Sequence, residues 1–122
     1  MAPRTAKEPL TDIREAASDL RDFVGDMETD AFHALPHADR IRYRAAKNTV
    51  TELGEAIKTL PKDVRERNPD VDWKGFAGLR DMAAHQYFNI DTRRLLPIIK
   101  CEVPKLIAVV DAELRLLEED KN

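Results

Sequence analysis

An arginine and a histidine five positions apart are the residues of this chain best suited to catalysis. Arg80 and His85 occur in the segment RDMAAHQYF. On a helix they would lie about 140° apart, on the side away from apolar Phe76, Leu79 and Ala83. A histidine ordinarily titrates near neutral pH and can move protons, while a permanently charged guanidinium can neutralise charge building on phosphoryl oxygens. The pair would suit cleavage of RNA by its own 2′-hydroxyl, with no metal or cofactor.

The angle between these two residues is wide for one compact site. Two such helices meeting across a twofold axis would bring two arginines and two histidines into one cleft. Asp81 lies four residues before His85, so its carboxylate could orient the imidazole and favour its protonated form. Tyr87 would lie at nearly the same angle as Arg80. From spacing alone, a solvated helix face or an ordinary interface pair explains these residues more simply.

Helical spacing of apolar residues predicts two helices in the first half of the chain. The first covers residues 9–24, and Gly25 is well placed to end it. The second begins after Pro36, runs to Leu60 and stops at Pro61, which makes it the longest element at about 36 Å. Its apolar positions are Ile41, Ala45, Leu53, Ala56, Ile57 and Leu60.

Two more helices are predicted after a connector at 61–70 that has room for one helical turn. Asp70 or Asp72 can cap the third helix, and Asp91 or Thr92 can cap the last. The apolar stripe of the last helix consists of Leu95, Ile99, Val103, Leu106, Val110, Leu114 and Leu117. Because no segment shows strand alternation, we predict an all-α antiparallel bundle of four main helices.

The 122 residues are enough for one domain spanning 1–122, with flexible ends at 1–8 and 118–122. No apolar signal run or membrane-length window occurs, so we expect a soluble cytoplasmic protein without a membrane partner. The formal net charge of -3 gives no general attraction to nucleic acid. A site for RNA would therefore need a local positive field, for example in a cleft at a dimer seam.

The chain resembles the HepT-like toxins, a bacterial branch of the HEPN superfamily, at several motifs in the same order. The pattern Arg80-x4-His85-x-Tyr87 is similar to the Arg-x4-His-x-Tyr signature of that family. Other matching segments are Gly54-Glu55-Ala56 with Leu60-Pro61, Asn68-Pro69 with Asp72-Trp73, and the run from His85 to Asp91. The likeness covers roughly residues 10–117, and several anchors in order are more specific than the short signature.

This resemblance implies a homodimeric helical bundle with metal-independent RNA endonuclease activity from Arg80 and His85. It also implies a type VII-like toxin–antitoxin pair, in which the partner is a minimal nucleotidyltransferase antitoxin of the MntA type. In the family the antitoxin adds AMP groups to the motif tyrosine, here Tyr87. Phosphates placed beside Arg80 would fill and neutralise the RNA site.

One departure from the family pattern bears on activity. The family usually has asparagine after the arginine, whereas this chain has Asp81, whose charge could raise the pKa of His85 and repel RNA phosphate. Gln86 in place of the common glycine is a smaller change. The alternative function is therefore a weak or inactive HEPN module that binds a nucleotidyltransferase or nucleotide. A helical dimer with only structural duties is the third interpretation.

The remaining polar residues have simpler interpretations beside the functional ones. Glu55 either faces the site or is an exposed acid. His33 and His37 flank Pro36 in a predicted loop, where we expect no metal site. Cys101 is expected to be a partly buried thiol, and Trp73 a core residue. A basic start to the second helix could guide RNA, although a solvated face is favoured: Arg40, Arg42, Arg44 and Lys47.

Overall fold

The computed structural model describes residues 6–85 and 92–120 of the chain. This part contains six α-helices and no strand. The helices are α1 (Lys7–Val24), α2 (Thr29–Ala38), α3 (Arg40–Thr59), α4 (Lys62–Arg67), α5 (Trp73–His85) and α6 (Thr92–Asp120). The predicted all-α class is confirmed, with α1, α3, α5 and α6 as the four main helices.

Helix α1 confirms the first prediction from apolar spacing. Its inward positions, such as Ile13 and Leu20, are buried. The helix ends at Gly25, whose φ of 48° is in a region that favours glycine, and its N–H donates to the carbonyl of Arg21. Local sequence was enough here, because the stripe and its terminating glycine are both short-range signals.

The second predicted helix is wrong in its N-terminal boundary. Pro36 lies inside α2 instead of preceding the helix, and the break falls at Asp39. Asp39 has non-helical dihedral angles, and its side chain accepts a hydrogen bond from the N–H of Arg42 at 3.1 Å, which caps α3. A helix was therefore missed at 29–38, where Phe32 and Leu35 supply the buried side.

This break also changes which residues of α3 are inside. Ile41 is 82% exposed and Ala45 is exposed, so the predicted apolar stripe is wrong at these two positions. The buried side of the same helix begins at Ala46 and continues through Val50 and Leu53. The start of α3, before Ala46, therefore has no buried side chain.

The connector and the start of α5 agree with the prediction. Helix α4 supplies the expected short helical segment. Asp72, of the two candidate caps, accepts from the N–H of Gly75 at 2.9 Å. Trp73 is buried, as expected, and its indole N–H donates to the carbonyl of Asn68 at 2.9 Å. These contacts set the direction in which α5 leaves the connector.

Helix α6 packs against α1 and α2. Its first five predicted apolar positions, from Leu95 to Val110, are buried, and Leu114 and Leu117 are partly buried. Further along, Glu113 is buried and accepts from Arg67 at 2.6 Å and from Asn68 at 3.2 Å. This buried carboxylate ties α6 to the end of α4.

Helices α1 and α3 lie at the centre of the packing, since each contacts the other and one further main helix. Helix α1 contacts α3 and α6, α5 contacts α3, and α2 contacts α3 and α6. Cys101 is exposed, so the expectation of a partly buried thiol is wrong: its position on α6 is turned away from the buried stripe. No helix of the described residues is long and apolar enough to cross a membrane.

Candidate functional site

Helices α3 and α5 approach most closely where Gly54 meets Arg80. Gly54 is buried, and a Cβ added to it would overlap the Cβ of Arg80 and lie 3.3 Å from its Cα. Glycine is therefore required here by the close approach of the two helices. The contact places the guanidinium of Arg80 over the exposed edge of α3.

Two carboxylates hold that guanidinium. Arg80 Nε donates to Glu55 Oε1 at 2.8 Å, and Arg80 Nη1 donates to Asp81 Oδ1 at 3.1 Å. Lys58 Nζ also donates to Asp81 Oδ1, at 3.2 Å. The four side chains form a chain of alternating charge between α3 and α5, with no net charge.

The charges of this cluster stabilise one another. Hydrogen bonds from Glu55 and then Asp81 raise the pKa of Arg80. The hydrogen bonds of Arg80 and then Lys58 lower the pKa of Asp81. Because Arg80 and Asp81 are accessible to water, these effects are screened, but both groups stay ionised at neutral pH. Arg80 keeps 34% of its side chain exposed, so an anion from solvent can reach it.

An acidic groove lies on the other side of Glu55, between α1 and α3. It has a volume of about 450 Å³. Three carboxylates of α1 and two of α3 line it: Asp12, Glu15, Asp19, Glu52 and Glu55. Glu55 therefore belongs both to the groove and to the cluster around Arg80. The local field is negative on this side and would repel phosphate.

Comparison with known proteins identifies the family. The family model described as ribonuclease HepT-like matches residues 13–113. This chain belongs to the HepT-like ribonuclease family. No solved structure gives a significant match to it.

Several curated relatives cover nearly the whole chain. "Putative RNase MJ0127" of Methanocaldococcus jannaschii is 36% identical over 93% of this chain and 91% of its own length. "Putative RNase MJ1380" of the same organism is 38% identical over 87% of this chain and 94% of its own length. "Probable ribonuclease HepT" of Thermococcus cleftensis is 30% identical over 84% of this chain and 90% of its own length.

The HepT-like signature is only partly within the described structure. Arg80 is described fully, and His85 is the last residue of α5. The side chain of His85 and the whole of Tyr87 lie outside the described residues, so the expected contact between Asp81 and His85 stays a prediction. Asp81 instead makes its described contacts with Arg80 and Lys58.

Two predicted supporting residues do meet the arginine. Glu55 is an exposed acid, as one of its two interpretations expected, and its Oε1 also accepts from Arg80 Nε at 2.8 Å. Sequence reasoning missed Lys58, and it noted Gly54 only as part of a family segment. No short-range pattern marked Lys58, because its partner Asp81 lies 23 residues later and the contact depends on the crossing of α3 and α5.

The remaining candidate residues lie on α2 and the start of α3. His33 and His37 are on a helix, so their predicted loop is wrong. The residues described, 6–85 and 92–120, contain no group of three or more side chains arranged to hold a metal ion. Arg42 turns toward α1, where its guanidinium lies 5.5 Å from the centre of the Phe23 ring.

Proposed function

We propose that this HepT-like protein is an RNA endonuclease that uses Arg80 and His85 and needs no metal. The observation that supports the proposal best is the guanidinium of Arg80. Glu55 and Asp81 hold it over the exposed edge of α3, on the same helix that carries His85. An arginine held by carboxylates yet open to solvent can exchange one of these partners for a phosphate.

The proposed reaction is a transesterification of RNA. His85 takes the proton of the 2′-hydroxyl, and the 2′-oxygen forms a bond to the adjacent phosphorus while the bond from phosphorus to the 5′-oxygen breaks. Arg80 neutralises charge developing on the non-bridging oxygens. The leaving 5′-oxygen takes a proton from the histidine of a second subunit. A 2′,3′-cyclic phosphate and a 5′-hydroxyl remain.

The second histidine requires a homodimer with α5 close to its symmetry axis. We infer this assembly from the wide angle between Arg80 and His85 on one helix. Joining two copies would convert two half-sites into one groove. RNA is the substrate of that groove.

We further propose that the protein acts in the cytoplasm as the toxin of a toxin–antitoxin pair. Its partner would be a nucleotidyltransferase antitoxin of the MntA type that transfers AMP groups from ATP to Tyr87 and releases pyrophosphate at each transfer. Each AMP brings a phosphate close to the RNA site and would compete with RNA for Arg80. Incubation with the partner and ATP should add mass in units of AMP at Tyr87, and label found elsewhere would reject this assignment.

Catalysis is tested with three variants beside the wild type: Arg80→Ala, His85→Ala and the matched control Arg115→Ala, which removes an exposed arginine of α6. We expect wild type and control to cleave RNA in EDTA and to arrest growth on expression. The two site variants should lose activity by about a hundredfold or more. Equal cleavage by all four proteins, or none by the wild type, would reject the proposal.

The alternative function is a weak or inactive module that binds a nucleotidyltransferase. One observation favours it: Asp81 occupies the guanidinium that RNA phosphate would need. Under this alternative the wild type fails to cleave RNA but still binds the partner. The same purified proteins distinguish the two functions.

A further inference from the structure

On the exposed face of α3 the cations lie nearer the side that meets α5 and the acids lie nearer the groove. The two sets adjoin, since Arg44 lies only about 20° from Glu55 around the helix axis. Measured around the helix axis from Gly54, four cations lie within about 80° of it, on the side that meets α5. These residues are called the basic strip: Arg40, Arg44, Lys47 and Lys58. Glu55 and Glu52 lie further around, at about 100° and 160°, on the side that lines the acidic groove.

The basic strip passes directly beside Arg80. Gly54 marks the crossing, and at 1.5 Å per residue Lys58 lies about 6 Å beyond it along the axis. Lys47 and Arg44 lie about 10 Å and 15 Å on the other side, and Arg40 about 21 Å. From Arg40 to Lys58 the strip is about 27 Å long, which is enough for several nucleotides of an extended strand.

The strip also resolves the conflict between an RNA substrate and a net charge of -3. Four cations lie together along the side of α3 that meets α5, whereas five carboxylates line the groove on its other side. An anionic strand would be attracted to the first and repelled from the second. Because the cations are arranged along one helix, they set the axis along which the strand lies as well as the face of the protein that it contacts.

We propose that the sugar–phosphate backbone of a single-stranded RNA lies along the basic strip and crosses Arg80 between Lys47 and Lys58. This proposal rests on the proposed ribonuclease function. Arg40 and Arg44 bind phosphates on one side of the scissile bond and act as positioning residues. The acidic groove keeps the strand from the α1 side of α3.

The test removes two charges from the far end of the strip. The variant is Arg40→Gln with Arg44→Gln, both on exposed side chains outside the catalytic cluster. The matched control is Lys100→Gln with Lys105→Gln, which removes two exposed charges from α6. The probe is a DNA oligonucleotide, which lacks the 2′-hydroxyl and cannot be cleaved, titrated over a range of salt concentrations.

Loss of two phosphate contacts should lower the slope of log affinity against log salt by about 1.4. At low salt the strip variant should bind about tenfold more weakly, with KM for RNA raised to match and kcat within about twofold of wild type. The control should keep the wild-type slope. A strip variant with the slope and affinity of the control overturns the proposal.

The remaining outcomes separate this proposal from the proposed function. If the double variant binds the oligonucleotide more weakly but the wild type does not cleave RNA, the ribonuclease function is rejected and the proposal that the basic strip binds a nucleic-acid backbone is kept. If the double variant no longer binds a nucleotidyltransferase but keeps the wild-type salt slope for the oligonucleotide, the basic strip is a protein-binding surface. That result would overturn the proposal that it binds RNA. If circular dichroism shows that the double variant misfolds, Glu52→Gln replaces it. This variant removes an acid from the groove and is expected to bind the oligonucleotide more tightly. Unchanged binding would overturn the proposal.

Discussion

At the scale of single residues, the arginine of the site is not a free cation. Glu55 and Asp81 both accept hydrogen bonds from Arg80, and Lys58 balances the second carboxylate. A phosphate that approaches Arg80 must displace one carboxylate and is repelled by the other. Orientation of the guanidinium is thus obtained at the expense of affinity for anions.

We expect Asp81→Asn to strengthen RNA binding. The amide oxygen can still accept from Arg80 or Lys58, but the negative charge beside the phosphate is removed. KM for RNA should fall by about three- to tenfold at low ionic strength, with a smaller effect at high salt. Steady-state cleavage and oligonucleotide titration measure it. Asp63→Asn, which alters a distant pair with Arg67, is the control and should leave KM unchanged.

The pH dependence of this effect follows from the direction of the pKa shift. Because Arg80 and Lys58 lower the pKa of Asp81, this carboxylate is ionised in the folded chain across the neutral range. Its contribution to stability is present above the ordinary carboxyl range and is lost as pH falls through the lowered pKa. In a His85→Ala background, which removes the imidazole that Asp81 is predicted to affect, adding Asp81→Asn should therefore change oligonucleotide affinity by the same factor from about pH 6 to 8. A difference that disappears within this range would contradict the assignment.

At the scale of elements, the crossing of α3 and α5 positions the site. Gly54 lets the two helices approach closely, and its neighbour Glu55 is thereby placed against Arg80. A side chain at position 54 would push α5 away and move the guanidinium with it. Helix packing and the proposed catalytic role of Arg80 are therefore coupled at this one position.

We expect Gly54→Ala to destabilise the fold and to impair the site together. The overlap with Arg80 should cost about 1–3 kcal/mol in the free energy of unfolding. RNA cleavage should fall further than the folded fraction accounts for. Urea unfolding and cleavage assays on the same samples measure both. A variant as stable and active as wild type would show that the helices do not need this close approach.

Gly78→Ala supplies the matched control on α5. A Cβ at Gly78 meets no atom of the described structure within 4 Å. Replacing this exposed helical glycine should therefore stabilise the single folded chain by about 0.5–1 kcal/mol. Because Gly78 lies about 20° from His85 around α5, on the face proposed for the dimer seam, the comparison uses unfolding at concentrations where the chain is monomeric, and not RNA cleavage. The two alanine variants differ mainly in what their new methyl groups contact.

At the scale of the whole molecule, the central proposal is a shared groove between two subunits. Each chain alone carries one arginine and one histidine of the signature, together with an acidic groove close to Arg80. Pairing would bring the cationic edges together and exclude water from the reacting phosphate. Activity should therefore depend on assembly.

We expect specific activity per chain to fall on dilution. Sedimentation or light scattering should give a dimer at micromolar concentration, and activity should decline over the same concentrations at which the monomer appears. Fluorescent RNA cleavage measured across the dilution series tests this dependence. Full specific activity from a protein that sediments as a monomer would rule out the shared groove.

Short-range patterns in the sequence predicted much of the fold. The apolar stripes of α1 and α6, the ending of α1 at Gly25 and the cap at Asp72 each depend on residues within a few positions of one another. These local predictions hold in the folded chain because the predicted apolar faces are the ones that the core buries. The Arg80–His85 signature was recognised for the same reason, and the family from several such short motifs that occur in the same order along the chain.

Other features depended on contacts between distant segments. A proline inside α2 resembled a boundary because its lost hydrogen bond is a local cost, while burial of Phe32 and Leu35 is a tertiary gain. The pairing of Arg80 with Glu55, 25 residues earlier, needed the close approach at Gly54. Local sequence determined the four main helices, apart from the break at Asp39, and the types of the candidate catalytic residues. Packing alone decided which charges surround the arginine, because electrostatic partners are set by distance in space.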